Sequence, residues 1–79
     1  MANTFQCTVS FQWDDEASVW IATSNDVEGL ILEDPSFDSL ERRVQQAIPE
    51  LLELNHRPSN IIDYFIIARR SGRVKYGLI

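Results

Sequence analysis

The sequence predicts an α+β domain in which four strands form a mixed sheet of order 3-2-1-4 and one long, kinked helix packs on one face. Residues 5–13 alternate between apolar and polar side chains, which is the period of a strand with one buried face. Residues 37–54 repeat apolar side chains every three or four positions, which is the period of an amphipathic helix. The stretch 61–68 is almost continuously apolar. At 79 residues the chain is a single domain with a small core, so we expect it to oligomerise.

Three strands are predicted before the helix. The buried face of the first strand comprises Phe5, Cys7, Val9, Phe11 and Trp13. Turn-forming clusters at 14–17 and 24–29 separate it from a second strand at 19–23 and a short third strand at 30–33. Because the connections are short, all three strands are expected to pair antiparallel.

The helix has a clear start signal and an interruption. Ser36 is the expected N-cap, and Asp38 and Glu41 place negative charge where the helix dipole favours it. Pro49 cannot donate a backbone hydrogen bond, so a kink or a restart is expected there. Asn55 is the expected left-handed residue at the end of the helix.

A fourth strand, 61–68, follows the helix and can return parallel to the first strand through a right-handed crossover. Since it is apolar on both faces, it is expected to be central or covered twice. Residues 1–68 then form one domain, and 69–79 form either a basic tail or, through Val74, Tyr76 and Leu78, a fifth strand.

One helix covers one face of a sheet, so the other face is expected to be exposed. The side chains predicted on that exposed face are Trp20, Ala22, Tyr64 and Ile66. An apolar patch of this kind on a small protein indicates an interface, with self-association as the simplest use and coverage by the C-terminal tail as the alternative.

The charge distribution limits the class of partner. The net charge is −5, and every acidic residue lies between Asp14 and Asp63. Nucleic-acid binding depends on Lys and Arg, so a basic protein is the more plausible partner, although the tail carries a local basic patch made of Arg69, Arg70, Arg73 and Lys75. With no signal peptide and no apolar run of membrane-spanning length, the sequence predicts a soluble, cytoplasmic protein.

Two blocks of sequence resemble a known family. They are Trp13-Asp14-Asp15-Glu16-Ala17 continuing through Val19-Trp20-Ile21-Ala22-Thr23-Ser24, and Ile48-Pro49-Glu50-Leu51-Leu52-Glu53-Leu54-Asn55, joined by the Val27-x-Gly29-Leu30 turn. Together they resemble a branch of short uncharacterised bacterial proteins in the HicB-like antitoxin superfamily.

The resemblance implies a partial RNase H-like fold with the order strand-strand-strand-helix-strand. It also implies non-catalytic binding of a small basic HicA-like ribonuclease toxin, with no cofactor. The chain departs from the wider family in having Glu28 where proline is frequent. No helix-turn-helix or ribbon-helix-helix segment for DNA binding is recognisable, which makes autorepression doubtful.

Two alternatives remain beside the antitoxin interpretation. One is a stand-alone homo-oligomer with no toxin partner. The weaker one is a degenerate RNase H-like nuclease, which needs carboxylates gathered around metal ions. Asp14 and Asp15 fall in a turn and Asp63 at the beginning of a strand, while His56 lacks an orienting partner, so the sequence predicts no catalytic, metal or cofactor site.

Overall fold

A computed structural model describes residues 4–77 of the chain. Its elements in chain order are β1 (Thr4–Asp14), β2 (Val19–Thr23), β3 (Ile31–Asp34), α1 (Phe37–Leu54) and β4 (Ile61–Arg69). The four strands form one sheet of order β3-β2-β1-β4. The predicted α+β class, sheet order and single helix are therefore confirmed, with β3 beginning one residue later than expected.

The long first strand is the centre of this sheet. It pairs antiparallel with β2 from Ser10 to Asp14 and parallel with β4 from Thr4 to Gln12. Strand β3 then pairs antiparallel with β2. The mixed pairing follows from the connections, because a tight turn joins β1 to β2 and a short loop joins β2 to β3, whereas α1 provides the crossover that a parallel strand needs. Strand β4, expected to be central or covered twice, lies instead at an open edge of the sheet.

The core lies between the sheet and one stripe of α1. The buried positions of the helix fall every four residues, at Leu40, Val44, Ile48 and Leu52. The sheet presents the fully or almost fully buried Cys7, Val9, Phe11 and Ala22 to them, and the loop before β3 adds Val27 and Leu30. Transfer of each large side chain of this set from water contributes about 1.5–3 kcal/mol, so this single layer provides most of the hydrophobic stabilisation.

The helix begins with a network of short polar side chains. Ser36 is the N-cap, as predicted, and its hydroxyl accepts a hydrogen bond from the backbone N–H of Ser39 at 3.1 Å. Asp34 accepts from the Ser36 backbone N–H at 2.8 Å and from the Ser39 hydroxyl at 2.9 Å. The first of these bonds contributes most to lowering the pKa of Asp34, so the carboxylate remains ionised. Its negative charge stabilises the positive N-terminal end of the helix dipole.

Pro49 lies inside one uninterrupted helix. The sequence predicted a kink or a restart of the helix at Pro49, and no restart occurs. The residues on either side of it in the apolar stripe, Ile48 and Leu52, are both buried against the sheet. Pro49 and Gln45 are both exposed, so the carbonyl that loses its hydrogen bond to proline can bond with water.

The helix ends at Leu54, and the left-handed residue after it lies one position later than expected. Asn55 has φ −90°, and the left-handed residue is His56 with φ 59°. The N–H of Arg57 donates to the carbonyl of Leu52 at 2.7 Å and that of His56 donates to Glu53 at 3.1 Å, which is the Schellman pattern. The prediction that Asn55 adopts the left-handed conformation is therefore wrong, because Asn55 forms the half-helical cap and the following residue reverses the chain.

The loop between β2 and β3 replaces a missing stretch of strand. Strand β2 ends at Thr23, level with Ser10, so it does not reach Thr8. The Ser24 hydroxyl donates to the Thr8 carbonyl at 2.7 Å, and the Asp26 carboxylate accepts from the Thr8 N–H at 2.8 Å. These two side chains satisfy the backbone of β1 where the neighbouring strand has ended.

Beyond Arg69 the described residues form no strand, so the fifth strand expected from Val74 and Tyr76 is absent there, and Leu78 lies outside the described residues. We call residues 70–77 the C-terminal arm. Val74 is 92% exposed and Tyr76 is 99% exposed. The molecule accordingly measures 64 Å along its long axis against 20 and 19 Å across, because the arm extends away from the sheet.

Gly29 and Gly72 provide a matched test of the loop. Gly29 has φ +87°, and a Cβ there would lie 3.3 Å from Cδ2 of Leu51, whereas a Cβ at Gly72 would meet nothing within 4 Å. We expect Gly29→Ala to lower the free energy of unfolding by about 1–2 kcal/mol, from left-handed strain and the tight contact. Gly72→Ala serves as the control and should change it by less than about 0.5 kcal/mol. Urea unfolding followed by tryptophan fluorescence measures both, and equal effects would contradict the assigned loop conformation.

Candidate interaction surfaces

The four side chains predicted to form an exposed interface lie on the helix-covered face of the sheet. Ala22 is fully buried, and Trp20, Tyr64 and Ile66 are half-buried against the core. Their predicted position on the uncovered face is therefore wrong. Strand register is the physical reason, since a shift of one residue moves every side chain of a strand to the other face.

The register is fixed by the β1–β2 turn. Trp20 lies opposite Trp13, and Asp14 opposite Val19, so the turn contains the four residues 15–18. Ser18 closes the turn with φ 56°, a conformation that neither serine nor its neighbours signal in the sequence. On the other side of β1, Tyr64 lies opposite the buried Cys7, which turns Tyr64 toward the helix.

Aromatic rings close the core at the end where α1 begins. The Phe37 ring lies 4.8 Å from Phe11 and 5.2 Å from Trp20, measured between centroids, and Trp20 lies 5.4 Å from Trp13. The guanidinium of Arg70 covers the Trp13 ring at 4.1 Å. Tilted and edge-on packing of this kind stabilises a core end, and the cation over Trp13 fixes the root of the C-terminal arm.

A polar contact connects the edge strand to the helix. The Tyr64 hydroxyl donates to the Glu41 carboxylate at 2.6 Å and accepts from the Gln45 side-chain amide at 2.6 Å. The bond to Glu41 raises the pKa of Tyr64, outweighing the opposite effect of Gln45, because ionisation would place two anions side by side. This contact joins β4 to α1 beside a small groove of about 160 Å³.

An open acidic groove lies at the β1–β2 turn. It has a volume of about 480 Å³ and is lined by Gln12, Trp13, Asp14, Asp15, Glu16, Ile21 and Thr23. Asp14 accepts from the backbone N–H of Glu16 at 3.0 Å, and Asp15 accepts from the Trp13 indole N–H at 3.1 Å. Two of the three carboxylates are thus held in place by the turn, over an apolar floor that includes Ile21. Such a site favours a cationic side chain with an apolar stem.

The uncovered face of the sheet has its apolar side chains at the edges. Strand β1, in the middle, presents the exposed polar residues Gln6, Thr8, Ser10 and Gln12. On β4, Ile61 is 44% exposed, Phe65 60% and Ile67 59%. We call these three side chains the β4 stripe. Sequence reasoning placed them on the second face of β4 but did not select them as a surface, because it expected that face to be covered.

The residues considered for catalysis are not brought together. The Asp14 carboxylate is engaged in the β1–β2 turn, and Asp63 lies in the middle of the β4 stripe on the edge strand. Within residues 4–77 there is no group of three or more His, Cys, Asp or Glu side chains arranged to hold a metal ion. Burial raises the pKa of the Cys7 thiol, with a smaller contribution from Asp26, which favours the unreactive protonated form.

No helix within residues 4–77 is both long enough and apolar enough to cross a membrane. The sole described helix that reaches such a length is α1, and its exposed side is charged.

Comparison with known proteins assigns the chain to a family. Residues 6–76 match the family described as Domain of unknown function (DUF1902), which includes most of the C-terminal arm. The chain belongs to this family. Its fold is similar to the crystal structure of hypothetical protein TTHA1013 from the extremely thermophilic bacterium Thermus thermophilus, with a TM-score of 0.76 and 32% sequence identity. The match covers 89% of this chain and 100% of the Thermus chain. The comparison with curated proteins gave no match. Neither the DUF1902 family nor the Thermus protein is described with a catalytic activity.

The Tyr64 contact predicts a pH dependence of stability. Since its pKa is raised in the folded state, the stabilisation is fully present below the ordinary tyrosine pKa and is lost as the pH rises through the folded value. Tyr64→Phe should lower the free energy of unfolding by about 1 kcal/mol at neutral pH. The difference from the native chain should shrink above a pH of about 10.

Tyr76→Phe is the control for this prediction, because Tyr76 is 99% exposed. It should leave the free energy of unfolding unchanged at neutral pH. Denaturant titrations across neutral to alkaline pH measure the three chains, and a Tyr64→Phe difference that stays constant through the alkaline range would contradict the role of the hydroxyl.

Proposed function

We propose that this DUF1902 protein is a non-catalytic protein-binding module of the HicB antitoxin type, which neutralises a small basic ribonuclease toxin in the cytoplasm. The supporting observation is the separation of charge. All twelve acidic residues lie in the domain, where only three of the seven Lys and Arg side chains accompany them. The remaining four basic residues lie at the end of β4 and in the C-terminal arm.

The acidic groove is the proposed docking site for a cationic side chain of the toxin. Its carboxylates come from one turn, and Glu33 of β3 adds a further negative charge near the groove, since Glu33 pairs with Ile21, which lines it. Charges held in position before binding attract a basic partner and lower the cost of association. An apolar floor adds contact with the stem of Lys or Arg.

The family resemblance supports the same interpretation from the sequence. The fold has the order strand-strand-strand-helix-strand that a HicB-like relationship implies. Residues 13–16 of the resembling block at 13–17 line the acidic groove. The Val27-x-Gly29-Leu30 turn holds two buried anchors around a glycine in the left-handed region, so this part of the resemblance concerns the fold.

Co-expression tests the antitoxin function directly. The probe is a small basic HicA-like toxin encoded beside the gene for this chain, expressed alone and together with the chain. We expect growth to recover on co-expression and the two chains to purify as one complex. A toxin that remains toxic in the presence of the folded chain would refute the proposal.

Charge reversal at the groove tests the docking site. Glu16→Lys combined with Glu33→Lys should raise the Kd for the toxin roughly tenfold or more and lower the association rate, most strongly at low salt. The matched control is Glu50→Lys combined with Glu53→Lys, which makes the same change of charge at the other end of the molecule. Similar losses in both double variants would show a general charge effect, and no loss in the first would place docking elsewhere.

A further inference from the structure

Strand β4 is an edge strand that combines length, apolar character and an unpaired side. It pairs with β1 along its whole length of nine residues, and the sheet has no strand beyond it among the described residues. It contains no proline or lysine, and its stripe of Ile61, Phe65 and Ile67 is exposed. Native proteins rarely leave an edge of this kind uncovered, because its free backbone groups pair with another chain.

We propose that β4 pairs antiparallel with β4 of a second copy of this chain across a two-fold axis, with Ile66 of the two copies opposite each other. The sheet of one copy then continues into the sheet of the other, and both helices lie on the same face. In this register Asp63 lies opposite Arg69 of the second copy, and Phe65 lies opposite Ile67 of the second copy. Each of these contacts occurs twice.

Side-chain complementarity selects this register. A two-fold axis perpendicular to the sheet allows only registers in which outward residues meet outward residues. A shift that centres Phe65 places Asp63 opposite Ile67, and one that centres Asp63 places two carboxylates against each other. A shift that centres Ile67 places Phe65 opposite Arg69. Opposite charges and apolar pairs stabilise neighbouring strands, so the register centred on Ile66 is the favourable one.

The uncovered face supports edge pairing over stacking of two sheets. Stacked sheets need apolar side chains in the middle of the face, but here the middle strand presents Thr8 and Ser10. Edge pairing instead brings the two β4 stripes together at the centre of a continuous sheet. Phe65 and Ile67 of the two edges then form one cluster, bounded on each side by an Asp63–Arg69 pair, and Ile61 lies beyond that pair.

The C-terminal arm fits the same assembly. Arg70 is held over Trp13 of its own chain, but residues 71–77 make no hydrogen bond, ion pair or ring contact with the other described residues. In the proposed register Ser71 lies opposite Ile61 of the second copy, so the arm continues along the segment that precedes the partner β4. The exposed Val74 and Tyr76 acquire a surface to contact only when a second copy is present.

A charge swap tests the proposal independently of any toxin. Asp63 and Arg69 are exposed, and neither side chain makes a hydrogen bond or ion pair with the other residues that the structure describes. The native chain should be a dimer at tens of micromolar by sedimentation equilibrium. Asp63→Arg and Arg69→Asp each place like charges opposite one another twice, so each should raise the dimer dissociation constant roughly tenfold or more.

Mixing the two single variants provides the decisive control. In a heterodimer of the two, the Asp63→Arg chain presents arginine at both positions and the Arg69→Asp chain presents aspartate at both, so opposite charges meet at both pairs. The mixture should therefore form heterodimers with a dissociation constant close to the native one, while each variant alone dimerises weakly. The doubly substituted chain also restores opposite charges at both pairs and should recover the native dissociation constant. Circular dichroism confirms that each variant is folded. A monomeric native chain, or dimers that tolerate both single reversals, would overturn the proposal. Because Glu16 and Glu33 lie outside β4, failure of toxin binding leaves this result unaffected.

Discussion

A single helix for a four-stranded sheet is the constraint from which the other features of this molecule follow. The buried stripe of α1 covers β1, β2 and the loop before β3, but it reaches β4 only at half-buried side chains such as Ile62 and Tyr64. The second face must therefore remain in contact with water. Its centre is polar at Thr8 and Ser10, which a strand can accommodate because alternate residues face opposite sides.

Within the described residues, backbone groups that lack a neighbouring strand are satisfied beside β1 but not along the outer side of β4. Where β2 ends early, Ser24 and Asp26 bond to both backbone groups of Thr8, so that part of β1 is closed by its own chain. Strand β4 has no comparable loop along its outer side within residues 4–77, and its stripe is apolar. Ser24 and Asp26 thus satisfy the backbone of β1 where β2 ends, but the outer side of the nine-residue β4 has no such partner in the part of the chain that the structure describes. This open edge is therefore available for pairing with another strand.

The sequence contains enough information for the elements and the topology, but not for the faces. Alternation over 5–13 and the Ser36 cap are local signals, and both are confirmed because local geometry determines them. The side of the sheet on which Trp20 lies depends on whether the β1–β2 turn contains an even or an odd number of residues. Ser18 closes that turn in a left-handed conformation, which a glycine would have indicated but a serine does not. The same holds at His56, which adopts the left-handed conformation that the sequence predicted for Asn55. The predicted interface of Trp20, Ala22, Tyr64 and Ile66 was wrong because the sequence does not determine which side of a strand a side chain occupies.

The distribution of charge allows the acidic groove and the β4 edge to act separately. In the proposed dimer Arg69 is neutralised by Asp63 of the second copy. Arg70 lies on the ring of Trp13, which also lines the acidic groove, so this one cation offsets part of the charge of the three carboxylates there. Arg73 and Lys75 lie three and five residues beyond Arg70 along an extended arm, which corresponds to roughly 10–17 Å. That distance exceeds the screening length of about 8 Å at physiological salt, so these cations do little to cancel the field at the groove. The negative surface at the β1–β2 turn thus remains available to a basic partner while the basic end of each chain is used between copies.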